Sequence, residues 1–207
     1  MNRRNYAREL SRIIEKNGSR RPKVLLHACC GPCSTSVLEY LSNYFDITVF
    51  WYNPNIYPEE EFNKRCSTLE EVIDKMNLSE SIKLINCDWR HEEYLAAAKG
   101  FENEKEGGKR CEECFKCRLF KTAEIAKENG FDYFCTTLSV SRHKNAIIIN
   151  TIGEEAAEKT GIKWLPSDFK KHDGENRSVE LSEKLKIYRQ VYCGCEFSLA
   201  ARQNNKE

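Results

Sequence analysis

No apolar run in these 207 residues approaches the roughly 20 needed to cross a bilayer, so the sequence predicts a chain with no membrane partner. Charge of one sign is missing as well. The chain has 33 basic and 32 acidic side chains, a formal net charge of +1. Global charge therefore argues neither for nucleic acid nor for an acidic partner, and any RNA-binding reading must rest on local patches. The opening MNRRNYARELSRIIEKNG has basic residues but no apolar stretch behind them, unlike a secretory signal, and the expected location is cytoplasmic. There is no internal repeat, no low-complexity segment, and no glycine-rich phosphate loop of the kind an ATP-dependent enzyme needs.

What the chain has in excess is cysteine, 11 in all. In a reducing compartment an odd, unevenly spaced set points to metal or redox chemistry rather than to a disulfide framework. The surrounding pattern alternates strands and helices. Tyr6, Leu10, Ile13 and Ile14 give helical spacing up to Gly18. Strands are expected at 23–28, 46–53, 81–89, 132–140 and 162–169, with helices between them at 34–43, around Phe62–Met76, at 92–100, from the CEEC segment to Gly130, and over 146–161. A last helix is expected over 178–195, ending in cysteines. This is an α/β fold with a mostly parallel, Rossmann-like sheet, helices on both faces and a cysteine-bearing helical segment. One domain is expected over 1–207. It divides into an N-terminal helix in 1–20, an α/β core in 21–175 with a metal-binding insertion near 100–130, and a C-terminal helix and CxC segment in 176–207.

The cysteines divide by context. Cys66, Cys87 and Cys135 fall on an apolar helix face or in strands, where free cysteine behaves as a small hydrophobe, and they are expected to be core residues. The other eight form close groups: Cys29, Cys30 and Cys33; Cys111, Cys114 and Cys117; Cys193 and Cys195. Adjacent cysteines on a turn do not share one buried face, whereas a turn can aim two thiolates at one centre, so the first two groups read as metal ligands. The metal stays open between zinc and iron–sulfur. CEEC fits a zinc knuckle but ACCGPC is not the usual second one, and CEECFKC begins like a ferredoxin run but has Lys121 where the fourth cysteine would stand. Cys33, near a helix N-terminus, suits a nucleophile or a ligand to an additional metal. Cys193 and Cys195, one glycine apart, suit a strained, easily reduced disulfide, a structural pair, or completion of a metal site.

Four segments in order, LHACCGPCS, RCEECFKCRL, SVSRHKN and YRQVYCGCEFS, resemble the QueH epoxyqueuosine reductases, formerly a domain of unknown function, from about Lys23 to Ser198. The resemblance implies reduction of epoxyqueuosine to queuosine at the wobble position of tRNA, the last step of queuosine biosynthesis. It also implies an oxygen-sensitive 4Fe–4S cluster, no cobalamin, and a fold similar to the ATP-pyrophosphatase-like (HUP-like) α/β proteins, with thiols where those grip phosphate. Carried onto this chain, the cluster ligands are Cys29, Cys30, Cys111 and Cys114, and Cys193 and Cys195 are redox-active. Cys33 matches the first motif as a catalytic or metal-binding thiol. Cys117 departs from the family pattern and, beside Cys33, suits an additional mononuclear iron.

That reaction consumes two electrons and two protons, so an electron donor (ferredoxin, flavodoxin or a chemical reductant) and a proton source are required. His27, His143 and Tyr192 are the proton-donor candidates. For the tRNA, the local basic patches are Lys105, Lys109, Arg110, Arg118 and Lys121, then Arg142, His143 and Lys144, then Lys170, Lys171 and His172, each read against the solvated-face alternative. Trp51, Tyr52 and Tyr57 are either stacking platforms for an unstacked base or core residues. The rival classes are a colourless structural zinc module, an ATP-dependent tRNA thiolase, and a ferredoxin-like carrier without affinity for tRNA.

Overall fold

The structure is a computed structural model that describes residues 4–204, with the side chain of His172 excepted. Five strands, all parallel, form one sheet in the order β3-β2-β1-β4-β5. They are β1 (Lys23–His27), β2 (Asp46–Trp51), β3 (Lys83–Asn86), β4 (Tyr133–Thr136) and β5 (Lys163–Trp164). Alternation within the strands sends Val24, Leu26, Ile47, Val49 and Trp51 to one face and Leu25, Phe50 and Phe134 to the other. The first face is covered by α1 (Tyr6–Asn17), α2 (Gly31–Leu41) and α3 (Glu59–Lys75), with α7 (Gly174–Lys184) packed on α2, and the second by α5 (Lys109–Glu128) and α6 (Ala146–Thr160). The short α4 (His91–Ala98) packs on α5, and α8 (Glu196–Asn204) closes the described chain.

Several boundaries differ from the sequence reading. Helix α2 starts at Gly31 rather than Ser34, because Cys30 takes the extended N-cap conformation and Pro32 sits in the first turn, where its missing N–H costs nothing. The fourth strand stops at Thr136, and Thr137–Val140 winds into a 3-10 turn in which the Thr136 hydroxyl accepts from the Leu138 amide. The fifth strand is only two residues long. The expected final helix over 178–195 ends at Lys184. Lys186 then takes a left-handed φ of 51°, so Cys193 and Cys195 lie in a loop between α7 and α8 instead of at a helix end.

The chain runs from β1 outward to β2 and β3, then returns to place β4 on the other side of β1. The order therefore reverses between β1 and β4, which opens a crevice at the carboxyl ends of those two strands. His27 ends β1 fully buried, with Nδ1 2.8 Å from Thr136 Oγ1 and Nε2 3.1 Å from the Tyr52 carbonyl. Burial, with Arg118 nearby, lowers its pKa from 6.5 to about 4. Between those values the unfolded chain takes up a proton that the folded chain refuses. The stabilisation is thus complete above pH 6.5 and is lost as pH falls toward 4, a swing of about 3 kcal/mol. Urea titrations across that window should show the loss, and His27→Gln should flatten it; equal slopes in both proteins would refute the assignment.

Candidate metal centre

Cys29 and Cys30 follow β1 directly, and Cys33 sits in the first turn of α2. Their sulfurs lie within 4.8 Å of one another, the only group of three or more such ligand residues that tight among the described residues. Cys29 Sγ and Cys30 Sγ are 3.9 Å apart, and the Cys33 amide donates to Cys30 Sγ at 3.3 Å, so a thiol fills the role of the usual Ser or Asp cap. The turn is anchored from both sides. Cys29 N donates to Thr137 Oγ1 at 3.1 Å, the Thr137 hydroxyl donates to Cys29 Sγ at 3.3 Å, and Ser178 of α7 donates to the Pro32 carbonyl at 2.6 Å. Gly31 is needed for close approach: a Cβ there would lie 2.8 Å from Thr68 Cγ2 of α3.

The triad behaves as one titrating unit. Hydrogen bonds from Cys30, Cys33 and Thr137, helped by Lys144, hold the Cys29 thiol well below the ordinary range. Burial and the neighbouring Cys29 push Cys30 up, and its two neighbours with burial push Cys33 up. A soft cation would take the place of thiol protons in such a set, because the thiolate is the ligating form.

Helix α5 carries the second cysteine group at i, i+3 and i+6. Cys111 and Cys117 pack with Cys29 against one apolar cluster, built around Phe115 and Leu119. Cys114 faces Tyr94 and Cys195 in a neighbouring cluster, and burial raises its pKa to about 12. Cys117 Sγ lies 3.7 Å from the Tyr52 hydroxyl, which is bonded to Glu93. The structure thus brings Cys29, Cys30 and Cys33 together; Cys111 and Cys117 share an apolar cluster with Cys29, Cys114 packs with Cys195, and none of these three belongs to the 4.8 Å group.

The CxC loop lies opposite the triad, and all eleven cysteines are free thiols. Cys193 accepts from Lys144 Nζ at 3.2 Å; Cys195 accepts from the Ser198 amide at 3.4 Å. Gly194 between them has φ 127°, a region closed to side chains, and a Cβ there would press on Arg65 Nη1 at 3.0 Å. Arg65 fixes the loop: it is 1% exposed, pairs with Glu61 at 2.7 Å, and donates to the carbonyls of Cys193 (3.2 Å) and Tyr192 (3.3 Å).

Triad, CxC loop and the 141–144 loop enclose a cavity of about 890 Å³. Its walls include Arg65, Arg118, Arg142, Lys144, Arg189 and Arg202 against only Glu106 and Glu175. Sequence reasoning missed Arg65, Arg189 and Arg202, because a cation inside an ordinary amphipathic stretch carries no signal of where it points.

Other expectations resolve here. Arg110 is buried and donates to the carbonyls of Phe101, Glu102 and Glu104, so it braces the loop before α5 instead of gripping phosphate. Lys109 and Lys121 face acidic neighbours on α5, and Lys105 is exposed away from the cavity lining. Lys170 donates to the Lys144 carbonyl; Lys171 is exposed, and the His172 side chain lies outside the described residues. Trp51 and Tyr52 are buried in the core, and the exposed Tyr57 packs against His91, so none of the three lines the cavity. Among the proton-donor candidates His27 is sealed away, Tyr192 commits its hydroxyl to the Tyr57 carbonyl, and His143 stands on the rim. Cys135 is buried as expected, while Cys66 and Cys87 are only half-buried.

A thiolate-ligated, anionic metal group fits these residues. Arg118 is 3% exposed, borders the triad, and leaves Nη2 without a hydrogen-bond partner among the described residues. Such an orphaned guanidinium donor is costly unless an anion faces it.

A family model described as epoxyqueuosine reductase QueH matches residues 24–201. A protein of that name from Streptococcus pyogenes serotype M1 is 43% identical over 199 residues, covering 94% of this chain and 78% of its own. One from Staphylococcus epidermidis is 42% identical over 201 residues (94% and 84%), and one from Thermotoga maritima is 38% identical over 183 residues (87% and 92%).

Proposed function

The chain belongs to the QueH family of epoxyqueuosine reductases, and from that premise we propose how its residues divide the work of the reaction. It is an oxidoreductase of queuosine biosynthesis and acts on tRNA carrying epoxyqueuosine. The observation that carries the detailed reading is the three-thiol turn at the sheet's switch point, inside a cavity with cationic walls. Cys29 and Cys30, with Cys111 and Cys114 from α5, would hold a 4Fe–4S cluster; Cys33 and Cys117 would hold an additional iron. A cluster of this type supplies electrons one at a time, without cobalamin.

The chain's own residues handle the rest. Arg142, Arg189 and Arg202 at the cavity mouth suit the phosphates of an anticodon loop, and the cavity admits one unstacked nucleotide. Cys193 and Cys195 would act as a dithiol relay: forming one S–S bond releases two protons and two electrons, the number that one epoxide consumes, so a single oxidation of the pair would match one turnover. That requires Cys193 to leave Lys144 and turn toward Cys195. A ferredoxin or flavodoxin in the cytoplasm, or a chemical reductant in the assay, would restore the dithiol.

Anaerobic purification with iron, sulfide and zinc analysis, followed by incubation with epoxyqueuosine-containing tRNA and nucleoside mass spectrometry, tests this reading. Brown protein with about four or five irons, converting the epoxide to queuosine, is expected. Active protein that is colourless and iron-free would overturn it. A Cys193→Ser, Cys195→Ser double variant with full turnover would remove the dithiol role alone.

A further inference from the structure

Two cations stand side by side on the cavity floor with no carboxylate partner among the described residues. Arg118, on α5, uses Nε to reach the Cys114 carbonyl at 3.1 Å and leaves Nη2 orphaned. Lys144, from the loop after β4, places Nζ 3.2 Å from Cys193 Sγ and 5.9 Å from the centre of the Phe115 ring. The cavity's two acids are engaged elsewhere: Glu106 accepts from the Ser198 hydroxyl at 3.2 Å and Glu175 pairs with Arg142 at 2.8 Å. A buried guanidinium and an enclosed ammonium repel one another, and the pair persists at low cost only where negative charge resides or develops between them. Both border the space that Cys29, Cys30, Cys33 and Cys193 also face.

We propose that Arg118 and Lys144 are catalytic residues that receive the oxygen leaving the substrate: Arg118 holds it as it gains charge, and Lys144 gives it a proton. The inference rests on the reductase reading above. Two electrons enter from the enzyme's reductant, both C–O bonds of the epoxide break, and the ring carbons join by a double bond. Both protons end on the departing oxygen as water. Lys144 supplies the first, is reprotonated from solvent through the open mouth, and supplies the second.

The test uses the iron-loaded enzyme without oxygen, epoxyqueuosine-containing tRNA and dithionite, with single-turnover rates by nucleoside mass spectrometry and tRNA affinity by filter binding. Lys144→Gln should slow conversion by at least about 100-fold with tRNA affinity unchanged within about threefold. Lys144→Arg keeps the charge but cannot release a proton, and should be as slow. Ethylamine should partly restore Lys144→Ala, which a merely structural lysine would not allow. Arg118→Gln should lose about 10²–10³ in rate when compared with wild type at equal iron content. A Lys144→Gln rate within fivefold of wild type, a loss confined to tRNA affinity, or Arg118→Gln losing iron in proportion to rate would overturn the proposal. Wild-type protein that converts no epoxide would instead sink the reductase reading itself.

Discussion

Replacing Cys30 by serine should cost the protein its iron and slow epoxide reduction by about a thousandfold or more, while its thermal midpoint stays within a few degrees of that of iron-stripped wild type. The substitution separates two jobs done by one atom. Cys30 Sγ caps α2 by accepting the Cys33 amide at 3.3 Å, and it is also one of three sulfurs within 4.8 Å. Serine is a better cap than cysteine, so the helix should keep its start. Its hydroxyl is a poor substitute for a thiolate on a soft metal, so the centre should not survive. Cys135→Ala is the matched control: that thiol is buried too, 3.4 Å from the Leu165 carbonyl and apart from the triad. It should keep iron and rate. Serine at position 30 with full iron and full rate would remove Cys30 from the centre.

Arg65→Met should lower stability by about 3–5 kcal/mol, or about 6–20 °C in the midpoint of a domain this size. The side chain fills space well, so the loss is not one of volume. It is the loss of the counter-charge to Glu61, whose side chain is 12% exposed, and of both donors to the Tyr192 and Cys193 carbonyls. The aromatic ring of Tyr192, 4.8 Å from the guanidinium, would be released as well. Alkylation of Cys193 should therefore accelerate in the folded variant. Arg65→Lys should recover the charge but not the two carbonyl bonds, and should fall between the two. An unchanged midpoint together with an unchanged alkylation rate would show that the loop does not depend on Arg65.

The sheet was legible because parallel strands buried on both faces leave short apolar runs, VLL and ITVFW, that nothing else explains. The triad's position was legible for a related reason: a cysteine turn after the first such run must lie at the carboxyl edge. The start of α2 was not, since Gly31 and Pro32 look like loop residues until an N-cap at Cys30 makes both acceptable. The CxC loop was misread because SVELSEKLKIYRQVY keeps helical spacing beyond Lys184; tertiary bonds to α3, absent from any local pattern, decide that the helix stops. Of the cavity cations, the sequence showed Arg118 beside a cysteine motif and Arg142 and Lys144 in the SRHKN loop at the sheet edge. Arg65 sits 128 residues from the Cys193 carbonyl it holds, and no periodicity reports a pairing that distant.

The central strand has a kinetic consequence. β1 is hydrogen-bonded to a neighbour on each side, and its apolar residues are fully buried, so its amides open only with the whole domain. The triad follows that strand directly, whereas the opposite wall of the cavity hangs on one arginine and a few carbonyl bonds. The two halves of the site therefore relax on different clocks. A folded RNA loop can be admitted by a local opening near Tyr192 and Cys193 while the thiols behind it keep the positions that the slowest-opening part of the molecule imposes.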